Sequence, residues 1–243
     1  MKRILISFFL FFPLKNYSQQ AIKVHYTSYF NVSKATEEIK KTQPDYYNKL
    51  MDEEMMAKML RFSLDIQNNT SLFYLQESLI SDLEDPIVKN YVVGEFYGLS
   101  KIYVDKNKDT LVEQLNWPMG KFLKNKKASF IEWEITTETK EINGYQCFKA
   151  NYVYSQPWRD RIVSKKVEAW YCPDLPYSFG PIRYNGLPGL ILELHEKDIT
   201  FVVEKIEFLK KDLKITQPTD GEIYNHEEMS KKFSRIKENL KGG

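Results

Sequence analysis

Hydrophobic and polar residues alternate with a period of two over much of this chain. Residues 22–29 and 62–66 show the alternation, and an Asn-Asn pair separates the second stretch from a third at 71–77. Neighbouring side chains of a strand point to opposite faces of a sheet, so this spacing predicts a first strand followed by a β-hairpin.

The same period predicts most of the remaining elements. Asn143-Gly144 is a strong turn signal for a second hairpin, and Glu196-Lys197-Asp198 joins the strands of a third. The predicted strands are residues 91–96, 101–105, 109–115, 130–137, 147–154, 165–171, 190–195 and 199–208.

Two segments follow the helical period instead. Residues 45–60 start at Pro44-Asp45 and carry an apolar stripe, and residues 222–240 carry a narrower stripe that suits a helix on the surface of a sheet. Methionines in the first stripe could line a binding surface, but such a stripe more commonly packs on the core. The two stripes consist of Tyr46, Tyr47, Leu50, Met51, Met55 and Met59, and of Met229, Phe233, Ile236 and Leu240.

Together these elements predict a mainly β fold of the α+β class. We expect an antiparallel incomplete barrel, similar to the half-barrels of periplasmic lipoprotein carriers, with an N-terminal helix and a C-terminal surface helix. A half-barrel of this kind encloses an apolar concavity. Aromatic residues make up 14% of the chain, and we expect some of their rings to line that concavity.

The first 18 residues have the pattern of a secretory signal peptide. A positive start at residues 1–3 precedes an apolar run at 4–12, and a cleavage site follows at residues 16–18. We therefore expect cleavage near Ser18, a periplasmic or secreted protein, and one domain formed by residues 19–243.

Removal of this leader changes the charge balance. The full chain has 35 Lys and Arg against 33 Asp and Glu, a net charge of +2, and the leader contains Lys2, Arg3 and Lys15 but no acidic residue. The remaining 32 basic and 33 acidic residues give a net charge of −1. This balance gives no case for nucleic-acid binding.

A loop rich in proline and glycine precedes the predicted strand at 190–195. Its last residues and two pairs further upstream fall in the order and approximate spacing of the GLPGLI family of secreted proteins from Gram-negative bacteria, which the chain resembles over about residues 130–208. The residues that carry the resemblance are Gly186, Leu187, Pro188, Gly189, Leu190 and Ile191, with Trp170-Tyr171 and Gly180-Pro181. The resemblance implies export, but that family has no agreed activity or catalytic residues.

The motif loop has two interpretations. In the structural one, Gly186 and Gly189 adopt backbone angles that other residues resist, while Leu187, Leu190 and Leu192 plug the barrel. In the functional one, exposed proline and tyrosine side chains contact a ligand or a partner. The structural interpretation is favoured, because a loop so rich in glycine and proline is costly to order and suits a single shape.

Cysteine usage adds one expectation. Cys147 and Cys172 are the two cysteines of the chain, and each falls in a predicted strand. Because exported proteins meet oxidising conditions, we expect the two to form a disulfide. The alternative is a pair of buried free thiols.

No motif for catalysis or cofactor binding stands out. His25, His195 and His226 lack the spacing of a metal site, and Ser178 lacks the flanking residues of a nucleophile elbow. We therefore expect no metal, no cofactor and no catalytic residue. A basic patch at residues 158–166 could meet an anionic head group, although a solvated loop is the commoner meaning.

The leading hypothesis is a non-catalytic binding or carrier protein that holds an apolar or amphipathic ligand, a lipid or a peptide, in the concavity of the half-barrel. The second is a structural or accessory partner of an outer-membrane assembly that docks through the proline-rich loop. The third is an enzyme with an unrecognised site. Solid packing of the interior removes the carrier, an exposed apolar patch near residues 176–188 favours the accessory role, and converging titratable groups in a pocket favour an enzyme.

Overall fold

The computed structural model describes residues 20–76, 86–117, 120–129, 131–158 and 161–223. The predicted signal peptide and most of the predicted C-terminal helix lie outside these residues. The elements in chain order are β1 (Ile22–Phe30), α1 (Glu37–Thr42), α2 (Pro44–Met59), β2 (Arg61–Gln67), β3 (Thr70–Leu75), α3 (Pro86–Glu95), β4 (Ser100–Asp105), β5 (Thr110–Trp117), β6 (Gly120–Lys126), β7 (Glu134–Ile142), β8 (Tyr145–Trp158), β9 (Arg161–Cys172), β10 (Leu190–Glu196), β11 (Ile199–Phe208) and β12 (Glu222–Ile223).

The twelve described strands form one open sheet. Their order is β12-β6-β5-β4-β3-β2-β1-β11-β10-β9-β8-β7, so most neighbours in the sheet are also neighbours in the chain. The short β12 runs parallel to β6, whereas the other described pairs are antiparallel. The outermost strands, β12 and β7, do not pair with each other. The predicted mainly β fold with an incomplete antiparallel barrel is confirmed.

Contacts between distant strands show that the sheet curls. Phe73 on β3 and Phe201 on β11 lie three places apart in the sheet, yet their ring centroids are 5.7 Å apart. Three strand spacings of about 4.8 Å would separate them in a flat sheet. Phe62 lies between them, 5.3 Å from Phe73 and 5.1 Å from Phe201. These rings pack on the concave side of the sheet, which we call the inner face.

Helix α2 is confirmed, but the prediction for its apolar stripe is wrong. Met51, Met55 and Met59 are exposed, at 42%, 58% and 41%. The buried positions are instead Leu50, Glu53, Met56 and Ala57. The small Ala57 lets the helix approach β1 closely, and its carbonyl accepts a hydrogen bond from the Ser28 hydroxyl at 2.9 Å. Tertiary packing therefore selects a different face of the helix from the one that the stripe predicts.

Helix α3 corrects the prediction of a strand at residues 91–96. Val92 and Val93 favour a strand locally, but in the helix they share one face with Val88 and Phe96, and all four are buried. The Phe96 ring lies 6.0 Å from that of Phe201, so the helix covers the inner face. None of the helices in the described ranges is long and apolar enough to cross a membrane.

The predicted hairpins are confirmed. Asn143 and Gly144 have φ values of 51° and 81°, as a two-residue type I′ turn requires, and Asn68 has a φ of 52° in the turn between β2 and β3. The sequence did not predict α1 or β6. The predicted start of the last helix is wrong, because residues 222–223 form β12 instead.

A connecting segment, residues 209–221, crosses the outer face of the sheet. The Leu209 amide donates to the Ala21 carbonyl at 2.9 Å, and Gln114 Nε2 donates to the Asp220 carbonyl at 2.7 Å. Between these points Ile215 covers a small apolar cluster formed by Leu72, Tyr103, Val112 and Leu123. Both faces of this half of the sheet are thereby covered.

Candidate functional site

The loop between β9 and β10 reaches across the inner face. Lys106, in the turn between β4 and β5, places its ammonium group 5.8 Å from the centre of the Phe179 ring. Asn185 Nδ2 donates to the carbonyl of Ala128, just after β6, at 3.2 Å. The loop leaves from β9 and β10 in one half of the sheet and contacts residues beside β4, β5 and β6 in the other half. It therefore bridges the open side of the half-barrel.

The motif residues lie mostly inside this bridge. Leu187, Leu190 and Ile191 are fully or almost fully buried, as are the backbone positions Gly180, Pro181 and Gly189. Only five residues of the loop are exposed: Pro173, Asp174, Pro176, Gly186 and Pro188. The apolar docking patch expected for a partner of this loop is therefore not formed by residues 173–189.

The two motif glycines are required for different reasons. Gly186 has a φ of 96°, in the left-handed region that side chains resist. Gly189 does not have a positive φ, so the expected backbone angle is wrong there. A Cβ atom at Gly189 would instead lie 2.1 Å from the Cys172 carbonyl oxygen. Close approach of two backbones, and not an unusual angle, requires glycine at this position.

Trp170 and Tyr171 lie on opposite faces of β9. Tyr171 pairs with Ile191 on the inner face. Trp170 lies on the outer face, where the Lys140 ammonium group is 4.3 Å from its ring centre and Glu168 Oε1 accepts from its Nε1 at 3.2 Å. The two residues therefore do not form one site.

Cys147 and Cys172 are both free and buried, so the expected disulfide is corrected to the alternative of two free thiols. Phe148 pairs with Tyr171, which places the two cysteines one position further along the same antiparallel ladder. Burial first, and then the neighbouring Cys172, raise the pKa of Cys147 to about 12. A thiol with such a pKa is a poor nucleophile.

A buried polar cluster lies where the bridging loop meets β8 and β10. Arg183 Nη2 donates to Glu196 Oε1 at 2.7 Å, and the Tyr154 hydroxyl donates to the same oxygen at 3.0 Å. The guanidinium carbon of Arg183 lies 5.2 Å from the Tyr184 ring centre and 5.3 Å from that of Tyr97. We call these five residues the Glu196 cluster.

The second carboxylate oxygen of Glu196 is the unusual atom of this cluster. The Glu196 side chain is 0% exposed, and its Oε2 has no hydrogen-bond partner among the described residues. A buried carboxylate oxygen without a partner is costly. Because burial of an ion pair is weak evidence for stability, the arrangement suggests a role beyond folding.

The cluster also shifts the protonation of its members. Burial, followed by the charge of Glu196, raises the pKa of Tyr154, and burial raises that of Tyr184 as well. Burial opposes the charge of Arg183, but Glu196 and the tyrosines raise its pKa well above the ordinary value. Arg183 therefore stays charged and the tyrosines stay neutral at any physiological pH.

Backbone strain accompanies the cluster. Ile182, which immediately precedes Arg183, has a φ of 59°, and Tyr97 also has a φ of 59°. A positive φ is a genuine outlier for a β-branched residue and costs on the order of 1–3 kcal/mol. Tyr97 belongs to the cluster, and Ile182 is the neighbour of Arg183 in the chain. The backbone is therefore strained where the polar groups converge.

Partly exposed aromatic rings border the cluster. The Trp133 ring lies 6.0 Å from Tyr152 and 5.9 Å from Tyr184, and Tyr152 stacks on Tyr154 at 5.8 Å. Trp133 Nε1 donates to the Asn185 carbonyl at 2.8 Å, which fixes the indole against the bridging loop. The polar cluster thus lies beside an aromatic surface.

A second polar network lies on the outer face around His195. Its Nδ1 lies 2.6 Å from the Thr200 hydroxyl, and its Nε2 lies 2.5 Å from Glu193 Oε1. Burial opposes the charge of Glu193, but hydrogen bonds from His195 and Lys140 lower its pKa. Thr200 is fully buried and also bonds Asn31, so its hydroxyl is poorly placed to attack a substrate.

No group of three or more metal-ligating side chains occurs within the described ranges. His195 lies in the network above. His25 Nδ1 lies 2.9 Å from Gln76 Nε2, and its Nε2 lies 3.3 Å from Glu207 Oε1. His226 lies outside the described residues.

Sequence reasoning missed the Glu196 cluster, although one signal was present. Leu194 of β10 pairs with Ala169 on the inner face, and continuing the alternation puts Glu196 inward as well. A carboxylate at an inward position predicts a buried partner. Nothing in the local pattern identifies Arg183 as that partner, because the loop conformation alone brings it there.

Part of the chain is similar to a known protein family, and most of it is similar in fold to solved structures. The family described as "Protein of unknown function (Porph_ging)" matches residues 159–193, which include the motif and Arg183. No curated protein matches the chain. Two solved structures of PNGF-II, in space groups P21 and C2, each match with a TM-score of 0.49 and 13% identity. They cover 80% of this chain, which in turn spans 29% and 28% of theirs.

Proposed function

We propose that the protein is a binding protein whose ligand contacts the Glu196 cluster. The observation that carries the proposal is the fully buried Glu196 carboxylate, which has one oxygen held by Arg183 and Tyr154 and the other without a partner. A ligand that donates a hydrogen bond to Oε2 would satisfy that oxygen. The neighbouring rings of Trp133 and Tyr152 offer apolar contact area.

This proposal moves the ligand away from the middle of the half-barrel. Phe62, Phe73, Phe96 and Phe201 fill the inner face beneath α3 and are fully buried. A cavity lined by Phe30, Val32, Lys34, Leu50, Glu53 and Glu54 measures only about 10 Å³. An amphipathic ligand, a lipid or a peptide, would therefore bind at the end of the inner face, beside the bridging loop.

Native mass spectrometry of the gently purified protein tests the proposal. We expect a bound small molecule in the wild-type protein and its loss in Glu196→Gln, which keeps the size of the side chain but removes the charge. Glu204→Gln, an exposed carboxylate on β11, is the matched control and should keep the bound molecule. Wild-type protein that is free of any bound mass, or equal binding by all three proteins, would contradict the proposal.

A second function, docking to a partner protein, is favoured by a different surface. Tyr46, Met51, Met55, Met59 and Tyr91 are each more than 40% exposed on the adjacent helices α2 and α3. Exposed methionines are adaptable contacts, and monomeric proteins rarely expose such groups together. We call this surface the methionine face. It provides the apolar patch of an accessory protein, such as a partner of an outer-membrane assembly, at a place other than the motif loop.

The docking function predicts that Met55→Glu removes a partner that copurifies from the native cell, without lowering the melting temperature. Lys101→Glu, at an exposed position on the outer face of β4, changes a charge outside the methionine face and should retain that partner. If both variants keep the same partner, the methionine face does not bind it.

The compartment and family also belong to this proposal. Residues 1–18 support export to the periplasm or the exterior, and sequencing of the mature N-terminus should start at Gln19. The motif at residues 186–191 supports membership of the GLPGLI family.

A further inference from the structure

The hairpin of β8 and β9 extends beyond the strands on either side of it. Strand β7 pairs with β8 no further than Asn151, and β10 pairs with β9 no further than Val167. The β8–β9 ladder continues to its end at Trp158 and Arg161. At about 3.3 Å per residue, the hairpin therefore projects about 20 Å past its neighbours. We call this projection the arm, which consists of residues 152–158 and 161–166.

The inner face attaches the base of the arm to the rest of the protein. The Tyr154 hydroxyl donates to Glu196 Oε1 at 3.0 Å, and the Tyr152 ring lies 6.0 Å from that of Trp133. A two-stranded hairpin is only marginally stable by itself, so these contacts fix the direction in which the arm projects.

The outer face of the arm exposes apolar side chains. Tyr154 points inward, so its neighbours Val153 and Ser155 point outward. The hydroxyl oxygens of Ser155 and Ser164 lie 3.0 Å apart, which places Ile162, two residues before Ser164, on the same outer face. Val153 is 61% exposed, and Ile162, at 74%, has the largest exposed fraction among the large hydrophobic side chains that the structure describes. Their apolar surface is therefore available for contact at the projecting end of the molecule.

The arm is also basic. Its residues include Arg161, Lys165 and Lys166 and no aspartate or glutamate, so their formal charge is +3. Lys166 lies on the outer face with 59% of its side chain exposed, and its Nζ is 3.8 Å from a carboxylate oxygen of Glu168, outside the arm. An ion pair as long and exposed as this one contributes little, so Lys166 is available to other anions. Positive charge beside exposed apolar side chains complements an anionic lipid surface.

We propose that the arm binds the surface of an anionic lipid bilayer. Val153 and Ile162 enter the boundary between head groups and acyl chains, while the basic residues of the arm lie among the anionic head groups. A bilayer suits this surface better than a protein groove, because it contacts a projecting hairpin without a complementary shape. This role goes beyond the ligand binding proposed above, since the outer face of the arm points away from Glu196.

Cosedimentation of the intact protein with lipid vesicles tests the proposal. One set of vesicles consists of phosphatidylcholine, and the other is an equal mixture of phosphatidylcholine and phosphatidylglycerol. We expect the protein to bind the mixed vesicles at least about tenfold more tightly, and added salt to release it. Equal binding to the two sets, or binding to neither, would overturn the proposal.

Two isoleucines of equal exposure provide a matched pair of variants. Ile162 is 74% exposed on the arm, and Ile223 is 73% exposed on β12. We expect Ile162→Ser to weaken binding to the mixed vesicles about tenfold, because it removes the largest apolar contact, and Ile223→Ser to leave binding unchanged. Neither should lower the melting temperature, since both side chains are exposed. Equal binding by the two variants would show that the arm does not enter the bilayer.

A charge reversal tests the electrostatic part. Lys166→Glu should weaken binding to the mixed vesicles about tenfold, whereas Lys101→Glu, at an exposed position of β4, should not. Equal effects of these two variants would place the contact with the anionic head groups elsewhere.

Sedimentation velocity without lipid distinguishes a bilayer from a second copy of the chain. We expect Ile162→Ser and the wild-type protein to have the same oligomeric state. A wild-type dimer that Ile162→Ser dissociates would assign the outer face of the arm to contact between two copies and overturn the lipid proposal.

Discussion

The two ends of the inner face differ in how their buried groups are satisfied. Beneath α3, Phe62, Phe73 and Phe201 pack ring against ring, and this region requires no polar partner. Beside the bridging loop, the same face of the same sheet buries the ions Arg183 and Glu196. One carboxylate oxygen there has no partner among the described residues.

The aromatic residues at one end stabilise the fold, whereas the polar residues at the other end are held in position by it. An apolar cluster stabilises a protein in proportion to the area it buries, whereas a buried ion pair is often no better than apolar residues of the same shape. The aromatic end therefore accounts for stability, and the polar end is where a function is expected. Substitutions at the two ends should show opposite patterns of stability and binding.

A single substitution at the aromatic end should give a large loss of stability. Phe73→Ala removes a fully buried ring and should lower the free energy of unfolding by about 3–5 kcal/mol, because it leaves a cavity. Urea unfolding measures the loss. Val153→Ala, at a position that is 61% exposed, is the control and should change stability by less than about 0.5 kcal/mol. A small loss in Phe73→Ala would mean that the inner face is not closely packed.

At the polar end, a single substitution should lower the stability, and a second substitution should restore it. Glu196→Leu leaves Arg183 buried without its partner and should cost about 3–5 kcal/mol. Combining it with Arg183→Met removes both charges and should restore stability to near the wild-type value. Urea unfolding of the three proteins gives the comparison. A double variant as unstable as the single one would show that the ion pair itself supports the fold.

The loop that joins the two ends should distinguish its two glycines. In Gly189→Ala the new methyl group would collide with the Cys172 carbonyl oxygen. The free energy of unfolding should fall by about 1–3 kcal/mol or more. Gly186→Ala meets no atom nearer than the Trp133 ring at 4.0 Å, so its cost of about 1 kcal/mol comes from φ alone. Melting temperatures rank the variants, and a larger loss at Gly186 would contradict the steric explanation.

The smallest effect concerns pH. Lys126 and Lys165 have lowered pKa values in the folded protein, so below the ordinary value of 10.5 the folded chain binds fewer protons than the unfolded chain. Their contribution to stability should rise with pH across that window. Above pH 10 the raised pKa values of Tyr154 and Tyr184 have the opposite sign, and stability should fall.

The raised pKa of Cys147 makes its contribution to stability fall over the same window, so the test compares two variants. Between pH 7 and pH 10, urea unfolding should show a smaller rise, or a larger fall, in Lys165→Met than in Lys166→Met. A change of equal size in both variants would mean that the lysine near Glu196 is not responsible for it.

Patterns over a few residues correctly predicted the features that depend on neighbouring residues alone. Asn143-Gly144 gave the β7–β8 hairpin because both residues accept a left-handed backbone, and strict alternation gave β1 and β2. The methionine stripe predicted the wrong buried face of α2, and the valine pair predicted a strand where α3 lies. Both predictions failed because the buried face of a helix and the conformation of a short apolar segment depend on what packs against them. The expected compartment predicted a disulfide, whereas Cys147 and Cys172 are free thiols.

The sequence by itself determined the hairpins, the mainly β class and the apolar inner positions, since alternation and turn residues act over a few neighbours. Only the tertiary structure decided that the loop crosses the half-barrel and carries Arg183 to Glu196, 13 residues away. Curling of the sheet brings these groups together, and curling depends on contacts between strands that are far apart in the chain.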